Sequence, residues 1–458
     1  MNNLNFLVDV LKESPVFKTL EKNVKPGRTV CASGLSTINK SNIIYALCRL
    51  KGVTAFCLAS DEKEAQTLCN DLSCMGLRAY VYPVRDFNFL DFQSRSHEYE
   101  HARLKVLLKL LNHECDVAIA CVDAAAQLTV PRNVLEQSVI EFEEGRELSL
   151  EKATKALTLL GYERFDAVEG SGQFSLRGGI LDFFMPDSDY PVRCEFWGDE
   201  ITDLSYFDIE TQRRFKKADK ITLSPSTEIV IEDRAALADK IEHKAKLLRS
   251  KNSAKAKEKL FSEAELIRSG AMIANADKFI NQIYDKPESL FDYLDRNTLV
   301  FASEFTAIQE RGKSMDFISN ETLMQGFEDG TLCRGFDRFA LTFNECTEFL
   351  QSHGTIVLEN FVHGSMPIKL SEIISFSTKQ LSAWGGSYKQ LKEDVDGLFT
   401  PESKGVIFAG TERAAKNLCD TFNADGINAV YSEGADKISK GELLVMQGAL
   451  SAGFEYPS

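Results

Sequence analysis

The chain has 458 residues and a net charge of −15, a length that allows about three domains. The acidic balance argues against a general nucleic-acid binder, because phosphate contacts need concentrated Lys and Arg, and it favours protein partners. No run of about 18 apolar residues predicts a membrane span, and the N-terminus lacks the features of a signal peptide, so we expect a cytoplasmic protein. The eleven cysteines form no CxxC pair and no zinc-like cluster with histidine, and we expect free thiols, mostly in cores.

The first segment, residues 1–131, predicts an α/β domain. Strands are expected at Thr29–Ala32, Val53–Leu58 and Arg78–Tyr82, and helical patterns alternate with them. Such alternation is typical of a parallel sheet covered by helices.

One loop in this segment has the spacing of a phosphate-binding loop. Residues 34–41, GLSTINKS, match G-x-x-x-x-G-K-[ST] at Gly34, Lys40 and Ser41, but Asn39 stands where the second glycine belongs. That glycine lets backbone amides close around phosphates, and a side chain there obstructs the cradle. We therefore interpret the loop as a degenerate or coincidental match, with a working nucleotide site as the alternative.

An aromatic stretch follows at Pro83–Ser96, PVRDFNFLDFQSRS. Its Arg85, Asp86 and Asp91 resemble an acid-base set, but no histidine or glycine-lined turn accompanies them. We interpret the stretch as a packing strap.

Residues 132–213 change to short strands and one helix. Antiparallel strands are expected at Gln173–Phe184, Pro191–Trp197 and Ile201–Phe207, with turns at residues 186–189 and 198–199. This pattern predicts a β-meander.

The alternation in the first of these strands places Phe174 and Leu176 in the core and Ser175 and Arg177 on a polar face. With Arg164 at its entrance, this face suits carboxylates on a partner, because an arginine fork binds them with two hydrogen bonds. The same pattern is also typical of a solvated sheet face, and the residues alone leave both interpretations open.

The α/β style returns in residues 214–368. A long, basic helical run is expected at Arg234–Asn281, more typical of a solvated face than of a phosphate site in so acidic a chain. A buried strand at Thr298–Ala302 is followed by Ser303 and Glu304, which keeps the glutamate of a motor ATPase strand end but lacks its aspartate. Residues 369–458 predict a further small α/β domain, opening with a strand at Ile373–Phe376, and the chain looks cut just after a strand.

Several stretches resemble the N-terminal region of the bacterial transcription-repair coupling factors (the Mfd family) and, more distantly, the excision-repair helicase UvrB. They occur in the same order and cover most of residues 75–310: YPVRDFNFLDFQSRSHEYEHARLKVL, GYERFDAVEGSGQFSLRGGILDFFMP, RCEFWGDEITDLSYFDIETQRR, ITLSPSTEIVI and FASEFTAIQERG.

The resemblance implies a multidomain α/β protein. Residues 1–131 and 214–368 would form a UvrB-like parallel-sheet module, interrupted by an antiparallel β-rich insertion at 132–213 and followed by a small α/β domain at 369–458. In this family the first nucleotide site is degenerate, here Gly34, Asn39, Lys40, Ser41 and Glu304, so no cofactor is expected in these residues. ATP and Mg²⁺ would belong to translocase domains outside them, as would contacts with RNA polymerase and double-stranded DNA.

The inserted domain is similar to the part of UvrB that binds UvrA. Two UvrB arginines fall on Arg164 and Arg177, whereas a third falls on Ser175, which removes a charge. The resemblance implies a non-catalytic adaptor that recruits UvrA to a stalled RNA polymerase, with masking of the insertion by later domains. The alternative is a UvrB-like, ATP-dependent helicase with Lys40 on the phosphates and Glu304 as base.

Overall fold

A computed structural model describes residues 4–85, 97–138, 140–249, 253–270, 276–361, 366–381, 384–435 and 437–456. The side chain of Ser253 is also outside the description. Most of the aromatic stretch, including Asp86 and Asp91, lies outside the described residues. Its first residues are described, and Arg85 is buried in ion pairs with Glu100, Glu228 and Asp277, which is a packing role.

The helices are α1 (Asn5–Glu13), α2 (Pro15–Asn23), α3 (Thr37–Lys51), α4 (Glu62–Cys74), α5 (Glu98–Leu111), α6 (Val122–Ala126), α7 (Arg132–Gln137), α8 (Leu150–Leu159), α9 (Arg234–Leu247), α10 (Ser253–Ser269), α11 (Ile280–Ile283), α12 (Phe305–Asp329), α13 (Phe343–His353), α14 (Tyr388–Leu398) and α15 (Glu412–Ala424). Short 3-10 turns lie at Ala276–Phe279 and Leu290–Tyr293.

The strands are β1 (Val30–Ser33), β2 (Ala55–Ala59), β3 (Ala79–Tyr82), β4 (Val117–Cys121), β5 (Ile140–Glu143), β6 (Glu163–Arg164), β7 (Gln173–Arg177), β8 (Ile180–Phe183), β9 (Val192–Trp197), β10 (Glu200–Phe207), β11 (Arg214–Lys217), β12 (Lys220–Leu223), β13 (Leu299–Ser303), β14 (Thr355–Glu359), β15 (Glu372–Ser375), β16 (Lys379–Leu381), β17 (Lys404–Ala409), β18 (Ala429–Tyr431), β19 (Glu442–Gln447) and β20 (Gly453–Glu455).

A seven-stranded parallel sheet organises the molecule, in the order β15-β1-β14-β13-β2-β4-β3. Strands β1, β2, β4 and β14 are buried throughout, because helices cover both faces of the sheet and create a hydrophobic core on each side. The predicted mixed α/β class is confirmed. The predicted place of residues 373–376 is wrong, because β15 pairs with β1 and so extends this sheet past the expected limit at 368.

The inserted segment forms a six-stranded sheet in the order β11-β10-β9-β8-β7-β6 and a separate β5–β12 pair, packed around one core. The single strand predicted at 173–184 is wrong. Gly178 takes a left-handed φ of +61° and, with Gly179, turns the chain between β7 and β8. Pairing of β11 with β10 and of β12 with β5 carries this unit to Leu223, beyond the predicted limit at 213.

The basic run predicted as one helix is two, α9 and α10, which pack together around a small apolar core that includes Leu237, Ile241 and Leu260. The last segment contains a three-stranded parallel sheet, β17-β19-β18, and a β16–β20 pair. Beyond β19 the chain returns to the parallel module, where Phe454 and Tyr456 pack against its core. Among the described helices, none combines the length and the apolar character that crossing a membrane requires. All eleven cysteines are free thiols and nine are buried, which confirms that prediction.

Candidate functional site

Arg177 ends β7 at the edge of a tight turn, where its side chain is 50% exposed. Its guanidinium donates to the carboxylate of Asp182 on β8 over 2.8 Å. Asp182 is buried and also receives two hydrogen bonds from Arg193 on β9, at 2.7 and 2.8 Å. One buried carboxylate thus fixes two arginines, and Arg177 presents its remaining N–H groups to solvent in a defined orientation.

Ser175 does not reach the surface. It is 1% exposed, and its hydroxyl donates to the backbone carbonyl of Asp166 over 2.8 Å, so the chain that follows β6 passes over it. The prediction that Ser175 meets a partner is therefore wrong. The strand alternation placed it on the correct pleat beside Asp182, but it carried no information about a segment that covers that pleat.

Arg164 lies in β6, where it is exposed. The parallel pairing of β6 with β7 places Arg164 opposite Phe174, so it shares the pleat of Phe174 and not that of Arg177. The two arginines of the predicted site therefore lie on opposite pleats of neighbouring strands. A role for Arg164 in binding stays a prediction.

The loop with phosphate-loop spacing is hydrogen-bonded to other parts of the protein. The backbone N–H groups of Gly34 and Leu35 donate to the carbonyls of Asn360 and Glu359, at 3.2 and 3.1 Å. Gly34 has a φ of +80°, and any side chain there would collide with the carbonyl oxygen of Phe376. Because α3 already begins at Thr37, little free loop is left to wrap around a phosphate group.

Lys40 is 2% exposed and is neutralised inside the protein. Its ammonium donates to Glu304 over 2.5 Å, to the Ser303 hydroxyl over 2.9 Å and to Glu64 over 3.3 Å. Burial alone raises the pKa of Glu64, but the charge of Lys40 and hydrogen bonds from serine hydroxyls outweigh it, so that pKa lies below its ordinary value. Carboxylates thus occupy the position that phosphate oxygens take on a working P-loop lysine.

The neighbouring loop residues are also engaged. Asn39 is buried and accepts a hydrogen bond from the Ser36 hydroxyl over 2.6 Å. The Ser41 hydroxyl donates to Asp71 over 3.2 Å, and Asp71 also receives the N–H and hydroxyl of Ser451, each at 2.7 Å. The serine that would hold Mg²⁺ in a phosphate loop instead joins the last segment of the chain to the parallel module.

A further carboxyl group closes the cluster at the end of β14. Glu359 is fully buried and accepts the N–H of Phe305 over 2.8 Å. Burial, together with repulsion from Glu304, raises its pKa from about 4.5 to about 7. Sequence reasoning found Lys40 and Glu304 but missed Glu64 and Glu359. Glu359 ends β14 and Glu64 lies in the first turn of α4, the helix that follows β2. These places were the available signal, since the carboxyl ends of parallel strands and the helices that follow them meet at one edge of a sheet.

The fold and the site define a parallel α/β protein that is interrupted by an antiparallel unit, and its loop with phosphate-loop spacing is bonded to the protein itself. Residues 140–229 match the family described as the UvrB interaction domain. The transcription-repair-coupling factor of Bacillus subtilis (strain 168) is 26% identical over 461 residues, which cover 98% of this chain and 39% of that protein. Those of Staphylococcus epidermidis (strain RP62A) and Staphylococcus aureus (strain MRSA252) are 25% and 22% identical, over 82% and 99% of this chain and 32% and 39% of their own lengths.

The chain is therefore similar to transcription-repair-coupling factors over nearly its full length, and it contains a segment that matches the UvrB interaction domain. It spans about two fifths of the length of the curated relatives that it matches over its full extent.

Proposed function

We propose that this chain is a non-catalytic adaptor that binds UvrA of nucleotide excision repair through the outer face of its antiparallel sheet. Two observations support the proposal. The antiparallel unit lies within residues 140–229, the segment that matches the UvrB interaction domain. On that unit Arg177 is half-exposed and fixed by a buried carboxylate, so little side-chain entropy is lost when it binds a carboxylate on a partner.

In the full-length protein, recruitment would be directed to a stalled RNA polymerase. The polymerase contact, the double-stranded-DNA translocase and its ATP and Mg²⁺ site would lie in the part of the relatives that this chain does not span. Later domains would also be able to mask the antiparallel unit until the polymerase is engaged.

The second candidate is a UvrB-like, ATP-dependent helicase, favoured by the near-complete match at Gly34, Lys40 and Ser41. The geometry argues against it. The first loop amides donate to protein carbonyls, and Lys40 is paired with Glu304 and Glu64. A triphosphate would have to break these contacts and enter beside buried carboxylates that repel it.

One titration tests the adaptor. UvrA is titrated onto the immobilised chain and onto a variant carrying both Arg164→Ala and Arg177→Ala. Loss of an arginine from a desolvated interface costs about 2–5 kcal/mol, so the double variant is expected to bind at least tenfold more weakly. Unchanged affinity would overturn the assignment. Calorimetry with ATP and Mg²⁺ separates the helicase alternative, which requires micromolar binding that Lys40→Ala abolishes.

A further inference from the structure

One tryptophan on the antiparallel unit is almost fully exposed to solvent. Trp197 ends β9 just before the Gly198–Asp199 turn, and its side chain is 82% exposed. Exposing so large an aromatic surface to water is unfavourable, and the residue contributes little to the core beneath. Trp is also the residue type most enriched among the few that dominate binding energy at interfaces.

Strand register places Trp197 on the same pleat as Arg177 and at the same end of the sheet. Arg177 pairs with Ile180 across the β7–β8 turn, and Ile180 pairs with Glu195 on β9. Side chains two apart on a strand share a face, so Trp197 follows Glu195 on the pleat that Arg177 occupies. Arg177 and Trp197 lie two strands apart across the sheet and two residues apart along it. Their Cα atoms are therefore about 12 Å apart, a distance that one interface easily spans.

Few bulky side chains project from the surface between Arg177 and Trp197. The Gly178–Gly179 turn carries no side chains, and Gly179 lies so close to the Phe196 carbonyl oxygen that a Cβ there would come within 2.7 Å of it. Ile180 and Glu195 are partly exposed, and Glu195 is held by Arg214. A partner can therefore approach the backbone here without displacing bulky groups, and it meets an apolar residue beside a cation.

The half-exposed guanidinium of Arg177 suits a carboxylate on the partner. Buried Asp182 takes two hydrogen bonds from Arg193, which is itself mostly buried, and this pair largely balances its own charge. Arg177 adds a second guanidinium to the same carboxylate, whereas Arg214 is shared by Glu195 and Asp203. The patch is therefore balanced as a whole, and Arg177 offers its remaining N–H groups to a partner. A matching surface would hold an apolar pocket for an indole with a carboxylate about 12 Å away.

We propose that Trp197 is the apolar anchor of the UvrA interface and that it acts together with Arg177, at the end of the sheet that carries the two glycine-containing turns. This inference rests on the proposed function and locates the centre of the UvrA interface. The occupant is UvrA because the patch is continuous with Arg177 inside the segment that matches the UvrB interaction domain. Arg164, on the opposite pleat, would then lie outside this centre.

The opposite end of the sheet supplies a matched control. Tyr190 and Phe215 are each about half exposed there, and their rings pack edge to face with centroids 4.7 Å apart. Phe215 thus offers a second exposed aromatic residue on the same folded unit, at the end away from Arg177.

The test measures UvrA affinity for Trp197→Ala, Trp197→Phe, Phe215→Ala and Arg177→Ala, with urea unfolding of each variant. Trp197→Ala is expected to weaken binding at least about 30-fold, Trp197→Phe by less, and Phe215→Ala by less than about twofold. Unfolding of Trp197→Ala should match the parent, because the side chain is exposed.

The outcomes separate the two proposals. If Trp197→Ala binds as the parent does while Arg177→Ala loses affinity, the anchor is wrong and the proposed function stands. If the parent chain shows no UvrA binding, both fail. Sedimentation that shows Trp197-dependent self-association of the chain, with UvrA affinity unaffected by Trp197→Ala, would also overturn the inference, since the indole would then serve contact between copies.

Discussion

The ammonium group of Lys40 donates a hydrogen bond to the carboxylate of Glu304 over 2.5 Å. This contact lies at the edge of the parallel sheet where a phosphate-binding loop would hold a nucleotide. Glu304 has a left-handed φ of +57° and also accepts the N–H of Asn360 over 2.9 Å, so its carboxylate is held on the lysine from two sides. Lys40 is thus a structural cation, and its removal should affect folding more than ligand binding.

Lys40→Ala is expected to destabilise the chain by about 3–5 kcal/mol, because it leaves Glu64 and Glu304 buried or half-buried without their cation. Urea unfolding measures the effect, with Lys25→Ala at an exposed position as the control. An unchanged unfolding midpoint would show that the cluster does not depend on this charge.

Restoring the missing glycine should not restore nucleotide binding. Asn39→Gly opens only one of three obstructions, since Lys40 stays paired and the Gly34 and Leu35 amides stay bonded to carbonyls. Calorimetry with ATP and Mg²⁺ is expected to show no binding at micromolar concentration for the parent or for Asn39→Gly. Micromolar binding by either protein would contradict the self-occupied loop.

Glu359 predicts a pH dependence of stability. Its folded pKa of about 7 lies above the ordinary value of about 4.5, so the folded state holds the extra proton between these pH values. The contribution of Glu359 to stability is complete below about pH 4.5 and is lost as the pH rises through 7. Glu359→Gln, which cannot ionise, should therefore gain stability relative to the parent by about 2–3 kcal/mol between pH 5 and pH 8. A difference that stays constant over this range would contradict the assignment.

Asp182→Asn tests how Arg177 is presented. The variant removes the buried charge that orients Arg177 and Arg193, and it is expected to destabilise the chain by about 2–4 kcal/mol. UvrA affinity should fall as well, even though Asp182 itself is buried. Glu210→Gln removes an exposed carboxylate at the other end of the same unit and serves as the comparison. Equal UvrA binding by Asp182→Asn and the parent would show that the orientation of Arg177 does not matter.

Local patterns were sufficient for the parts of the fold that depend on neighbours in the chain. The alternation of Val192, Cys194 and Phe196 with polar residues correctly identified the buried face of β9. Asn39 and the missing aspartate before Glu304 indicate a disabled nucleotide site, which stays a prediction, and the pairing of Lys40 with Glu304 is the geometry on which the nucleotide titration bears.

Contacts between distant segments could not be predicted from those patterns. Strand alternation predicts an exposed Ser175, because it carries no information about the segment near Asp166 that covers this side chain. The alternating pattern predicts one strand across Gly178 and Gly179, because glycine has no side chain that would break the alternation. Likewise, the pairing of β15 with β1 joins residues more than 300 positions apart, and nothing in either strand specifies its partner.

The central claim is that the antiparallel sheet binds UvrA through Arg177, and the most direct measurement is the UvrA dissociation constant of Arg177→Ala beside that of Arg213→Ala. Both arginines are exposed on the same unit, at opposite ends of the sheet. We expect Arg177→Ala to lose at least about 2 kcal/mol of binding free energy, roughly 30-fold in affinity, and Arg213→Ala to stay within about twofold of the parent. Equal affinities for the parent and for Arg177→Ala would contradict the account.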